Sequence, residues 1–344
     1  MYSSLKSHLP EFAGILDVSN EYDIVEKRLS FHYDVRPYVI AKYFRNEALL
    51  AGSVHANPKT QLKFLRKTLD QQPEHFDALM DLAYLYRTGG VLEKDVDKSI
   101  LLFRECKKIF GSLIEFRNKE GCIPEIQLAF MYLGCFGVEM DEKEARVWFK
   151  EMGGKWGWVG LVYEALLNVF NSELDGFSLL EELIKRTGYQ TIELVNYQYG
   201  TMLLKGDSRY CNQNIELGLK TLEMCDRPLC NLALLQYYYT KDGPIDESQV
   251  ATLVQKIQNS KSPSTVFATS QLYKYGYGVE ANEEQSQMFW KQTEKVLEFA
   301  KKETEATLNR VIVTRETPKE TPELYYYLYN RIINNIVNGD MLQP

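Results

Sequence analysis

Six cysteines and four histidines are the residues of this chain best suited to metal or redox chemistry. A zinc site needs its ligands in close pairs. The only close pair is Cys225-Asp-Arg-Pro-Leu-Cys230, and His8, His32, His55 and His75 all lie far from it in sequence. Cys106, Cys122, Cys135 and Cys211 stand singly. The spacing therefore favours buried free thiols, with no metal and no cofactor expected. Glu181-Glu182 and Glu283-Glu284 could in principle share acid/base work, but read more simply as solvated helix faces. Gly276-Tyr-Gly278 leaves a helical pattern instead of following a strand, so it is not a phosphate cradle. No Gly-x-Ser-x-Gly or His-Glu-x-x-His occurs. No catalytic residue and no enzyme activity is expected.

The 23 tyrosines are the remaining chemistry-bearing group. Stacked on bases they would read single-stranded RNA, as arrays of helical repeats of about 35 residues do. The formal charge of −7 and the short basic runs Lys107-Lys108 and Lys301-Lys302 disfavour a phosphate track. Helical-repeat RNA binding is therefore the alternative and protein binding the first reading. Candidate anchors for a protein or peptide are Tyr197, Tyr199, Tyr237, Tyr238, Tyr239, Tyr275 and Tyr277, because tyrosine is favoured at interface hot spots. At least two of them are expected to face an open groove.

The elements that must position these residues announce themselves by repetition. A tyrosine, a glycine turn, a valine, an acidic or amide residue, a small residue and two bulky apolars recur. One copy is Tyr132-Leu-Gly-Cys-Phe-Gly137-Val138, then Asp141, Ala145 and Trp148-Phe149. Another is Tyr273-Lys-Tyr-Gly276-Tyr-Gly278-Val279, then Asn282, Ser286 and Phe289-Trp290. A third, one residue shorter in the turn, is Tyr86-Arg-Thr-Gly89-Gly90-Val91, then Asp95, Ser99 and Leu102-Phe103. Tyr132 and Tyr273 lie 141 residues apart, four periods of about 35, a length typical of helix-pair repeats. A drifted copy puts Leu203 in the tyrosine position, followed by Asn212, Gly218 and Leu222. Two further pairs fit at about 158–185 and 229–257, and an insertion near 111–121 explains the longer step from Tyr86 to Tyr132.

Leu79, Leu82, Ala83, Leu85 and Tyr86 form an apolar stripe at helical spacing that needs a partner helix. Gly137 and Gly278 follow such helices, where a left-handed residue closes the last turn. Asp95, Asp141 and Asn282 then read as N-caps of the second helix, and Ala145, Ser99 and Ser286 let it pack closely.

These residues resemble the Sel-one-like repeat, a subtype of the tetratricopeptide repeat superfamily, over about Gln61 to Val296. Cys135 departs from that pattern where its first glycine is expected. The resemblance implies an all-α fold, an α-solenoid superhelix of antiparallel helix pairs with helical caps at both ends. It implies residues 1–60 as an N-terminal cap, 61–296 as six to seven pairs, and 297–344 as a charged helix and a capping helix. It also implies an adaptor or assembly factor whose concave face holds a protein or peptide. Some members of the family carry disulfides between the helices of a repeat, but these cysteines do not recur at matching positions.

An apolar content of 45% suits one helical array. A helix is expected over 36–52. Thr321-Pro322-Glu323 opens a last helix, expected to cap the array in preference to binding a partner, and Arg310-Val-Ile-Val-Thr314 sits in a run that can be helical. No long apolar segment supports a secretory or membrane-spanning reading, so an intracellular and soluble protein is expected, with the cytoplasm favoured. A mature mitochondrial chain would look the same.

Overall fold

The computed structural model describes residues 37–38, 41, 58–112, 123–152, 157–187, 192–206, 210–241, 244–314 and 322–338. The helix expected over 36–52 lies outside them apart from Pro37, Tyr38 and Ala41, which are helical. Cys122 and most of the insertion near 111–121 also lie outside them. Among the described residues there are fourteen α-helices and no strand. They are α1 (Pro58–Gln71), α2 (Phe76–Thr88), α3 (Val96–Ser112), α4 (Ile123–Tyr132), α5 (Glu142–Lys150), α6 (Gly157–Phe170) and α7 (Gly176–Thr187). There follow α8 (Glu193–Lys205), α9 (Ile215–Cys225), α10 (Pro228–Thr240), α11 (Glu247–Asn259), α12 (Thr265–Tyr275), α13 (Glu283–Thr314) and α14 (Tyr326–Val337). From α2 to α13 these form six consecutive pairs. The two pairs with eroded signatures are present as α6/α7 and α10/α11.

The signature residues build each turn in the same way. The Asp95 amide donates to the Tyr86 carbonyl (2.9 Å), Asp141 to Tyr132 (2.8 Å) and Asn282 to Tyr273 (2.9 Å). The cap carboxylate or amide then accepts a free amide of the second helix, from Lys98, Glu144 and Gln285 respectively. In the drifted copy the Asn214 amide donates to Leu203 (2.9 Å), and Asn214 accepts from Leu217. The cap there is Asn214 and not Asn212, because that turn is longer. The four copies also share a close contact between their helices. Ser99 Oγ donates to the Ala83 carbonyl (2.8 Å) and Ser270 Oγ to the Ser286 carbonyl (3.0 Å). A Cβ at Gly218 would lie 3.1 Å from the Gly200 carbonyl, and Ala129 and Ala145 are wholly buried.

Cys135 replaces the expected glycine because Gly134 (φ 85°) supplies the left-handed residue one position earlier. Gly137 and Gly278 both have positive φ (82° and 65°), yet differ in surroundings: a Cβ at Gly137 meets nothing within 4 Å, while one at Gly278 would lie 2.6 Å from Val250 Cγ1. Gly278→Ala is therefore expected to destabilise by about 2–3 kcal/mol and Gly137→Ala by about 1 kcal/mol, since only the first adds overpacking to backbone strain. Urea unfolding of the two variants reads the difference, and equal losses would contradict it.

The chain divides into two compact units. The first holds residues 1–128, 136–138 and 309–317. Its core gathers Leu62, Phe64, Leu65, Ala78 and Leu85 around Tyr38 and Ala41. Arg87 is buried there; its guanidinium donates to Gln127 Oε1 (2.6 Å) and Asn309 Oδ1 (2.5 Å) and lies over the Phe136 ring. The second unit holds 129–135, 139–308 and 318–344. Phe149 and Tyr163 stack in parallel at 4.0 Å, with Phe130 edge-on to both. Helices α8 and α10 each bury ten of their thirteen residues, because neighbours cover them on nearly every side. The division expected at 296/297 falls within α13, which runs unbroken for 32 residues and includes Arg310–Thr314.

Candidate functional site

The second unit leaves a tyrosine ladder on its surface. Tyr239 lies near the end of α10, Tyr275 is the last residue of α12, and Tyr277 sits in the turn after it. The Tyr239 and Tyr277 ring centroids are 5.0 Å apart, and those of Tyr277 and Tyr275 are 5.5 Å apart. The Gly278 amide donates to the Tyr239 hydroxyl at 2.8 Å, which ties the ladder to the repeat turn. Tyr239 is 37% exposed and Tyr275 47% exposed. Tyr277 is half-buried, and burial raises the pKa of its hydroxyl. The Lys274 ammonium stands 5.0 Å from the Tyr275 ring centre. Such a surface offers flat apolar rings with polar tips and one adjacent cation.

The other candidates pack inside. Tyr197 and Tyr199 are buried, the latter stacked on Phe177, and Tyr238 is buried with its hydroxyl accepting from Gln249. These three are corrected to packing residues: a tyrosine on a helix enclosed by neighbours turns inward whatever its type. Tyr237 is half-buried, with its ring edge-on to Tyr238.

A second constellation escaped the sequence reading altogether. Glu193, in the first turn of α8, is buried and gathers four uncharged donors. They are the Leu229 amide (2.8 Å), Ser262 Oγ (3.0 Å), Ser264 Oγ (2.7 Å) and the Tyr329 hydroxyl (3.0 Å). The carboxylate thereby joins α8, α10, the start of α12 and α14. The segment leading into α14 and α14 itself also reach α4 and α6. The Tyr326 hydroxyl donates to the Leu133 carbonyl, and the Tyr163 hydroxyl donates to the Leu324 carbonyl (2.7 Å). The Tyr327 hydroxyl donates to Glu142, the first residue of α5 (2.6 Å). The last helix thus lies across the first helices of successive pairs and does not simply extend the series at its end. Burial raises the hydroxyl pKa of Tyr163, Tyr326 and Tyr329.

No family model matches the chain, and no curated protein does either. Among solved structures, it is similar to a Sel1 repeat protein from Oxalobacter formigenes at 12% identity, over 96% of this chain and 92% of that one, with a TM-score of 0.50. The fold is that of the Sel-one-like repeat. A protective antigen present in uropathogenic Escherichia coli strains and displaying an SLR fold is also similar, at 14% identity over 85% of this chain and 67% of that one, with a TM-score of 0.47.

In this Sel-one-like fold, Tyr86, Gly90, Asp95, Tyr132, Gly137, Asp141, Ala145, Tyr273, Gly276, Gly278 and Asn282 shape or cap repeat turns and helix contacts. The Phe289 ring stacks in parallel on Tyr273 at 5.8 Å, and Trp148 is a partly buried residue of α5. Among the described residues no group of three His, Cys, Asp or Glu side chains could hold a metal ion. No helix among them is long and apolar enough to cross a membrane.

Proposed function

We propose that this Sel-one-like protein is a non-catalytic scaffold, an adaptor or assembly factor, whose second unit binds a protein or peptide partner at the Tyr239, Tyr277 and Tyr275 ladder. The observation that carries this reading is the ladder itself. Three aromatic rings from two consecutive helix pairs follow one another in contact, with the Tyr239 hydroxyl held by the Gly278 amide, yet two of them stay in solvent. Aromatic rings held rigid before binding lose little entropy when a partner covers them, which is why they dominate interface energetics. The first helices of the pairs α4/α5, α6/α7 and α8/α9 already meet the chain's own C-terminal segment. A partner is therefore assigned to the turn edge, in preference to the concave face that the family resemblance suggests. Residues 61–296 are taken as the repeat array that presents this edge.

The test is capture of the tagged chain from its native cell, with wild type and Tyr239→Ala/Tyr275→Ala processed side by side, and with protein and crosslinked RNA quantified in each eluate. The reading expects a stoichiometric protein partner that falls at least about tenfold in the variant, the loss of two hot-spot rings costing upwards of about 1.4 kcal/mol. Tyr275→Ala alone is expected to change stability by no more than about 0.5 kcal/mol in urea unfolding, since the side chain is exposed. A partner retained undiminished by the double variant, or abundant RNA with no protein partner, would overturn the reading.

A further inference from the structure

We infer that Cys225 and Cys230 are a disulfide-forming pair, an oxidation site that ties the end of α9 to the start of α10. Their sulfurs lie 2.6 Å apart. Bonded sulfurs are about 2.05 Å apart, whereas non-bonded heavy atoms settle at about 3.5–4 Å. The backbone has therefore already brought the two sulfurs inside ordinary contact distance. The local chain explains how. Asp226, directly after Cys225, adopts the left-handed conformation (φ 47°, ψ 41°) and ends α9 at once, and Pro228 opens α10 without needing an amide partner. The two helix ends then meet across the two-residue link Asp226-Arg227, with both cysteines turned inward, 6% and 0% exposed. Cys106, Cys135 and Cys211 instead contact the Phe76 carbonyl, the Tyr326 hydroxyl and the Met202 carbonyl.

The placement gives the bond a consequence. It joins the second helix of one pair to the first helix of the next, and Cys230 Sγ lies 3.8 Å from the Glu193 carbonyl, beside the cluster that holds α14. The oxidant is a small-molecule disulfide of the glutathione class. Cys225, the more exposed of the two, loses its proton and attacks one sulfur of that disulfide, releasing the first small thiol. Cys230 then loses its proton and attacks the Cys225 sulfur of the mixed disulfide, releasing the second. The protein gives up two electrons and two protons, and one small disulfide becomes two thiols. Cys225 attacks first because it is the more exposed of the two, 6% against 0%.

The full-length chain is incubated with oxidised glutathione, denatured, alkylated and digested with trypsin. Trypsin does not cut Arg227-Pro228, so both cysteines travel on one peptide, residues 221–241. The inference expects that peptide to be lighter by two hydrogens and inert to alkylation until a reductant is added. It also expects Cys225→Ser and Cys230→Ser each to leave the other thiol open to alkylation or to a glutathione adduct. The wild-type result stands even if a variant fails to fold. Two alkylated cysteines in the oxidised wild type, or a glutathione adduct with no internal bond, would overturn the inference.

Discussion

Replacing Glu193 by alanine is expected to destabilise the second unit by about 3–5 kcal/mol and to loosen α14. The carboxylate serves the Leu229 amide, Ser262, Ser264 and Tyr329, donors contributed by three other elements. Removing it strips several buried donors of their acceptor at once, each worth about 1–3 kcal/mol when left unsatisfied. Tyr329 is itself buried, so its hydroxyl has no water to turn to. Glu193→Gln keeps one acceptor oxygen and is expected to lose less. Urea unfolding gives the energies, and limited proteolysis within 322–338 reports the release of α14. An alanine variant as stable as wild type, with α14 equally resistant to protease, would show that the cluster is not what holds the helix.

Alkaline unfolding is the second large effect. Tyr163, Tyr197, Tyr326 and Tyr329 all keep their protons far above the ordinary tyrosine range, with burial the largest cause in each. Above pH about 10 the unfolded chain releases those protons and the folded chain retains them. The folded state then binds more protons, so stability falls as pH rises, by up to roughly 5 kcal/mol per pH unit for four such groups. The fold is expected to survive to about pH 10 and then to unfold cooperatively, with tyrosinate absorbance appearing in the same transition as the loss of helix. Gradual ionisation of all the tyrosines with the helices intact would contradict the burial of these rings.

What could be read from the sequence, and what could not, follows the range of the interactions. The turn of a Sel-one-like unit is local: tyrosine, glycine, cap and small residue fall within about sixteen positions, so Tyr86 to Ser99 and Tyr273 to Ser286 were legible. The drifted unit was misplaced by two residues at its cap because its turn is longer, and a fixed spacing finds Asn212 before Asn214. The Glu193 cluster carried no signal, since its donors come from 36, 69, 71 and 136 positions away. One cue was present: a glutamate in the first turn of a helix needs a partner if that helix is enclosed. The tyrosines were legible as a class but not one by one. Tyr197 and Tyr239 both sit on the first helix of a pair, and only the packing of the neighbours decides that the first is buried and the second exposed.

Hydrogen exchange of the captured complex against the free chain tests the central claim most directly. If the ladder is the partner's seat, amides over 237–241 and 273–279 exchange more slowly in the complex while those of α14 are unchanged. Protection confined to other segments, with the ladder amides exchanging as in the free chain, would contradict the assignment of the partner to this edge.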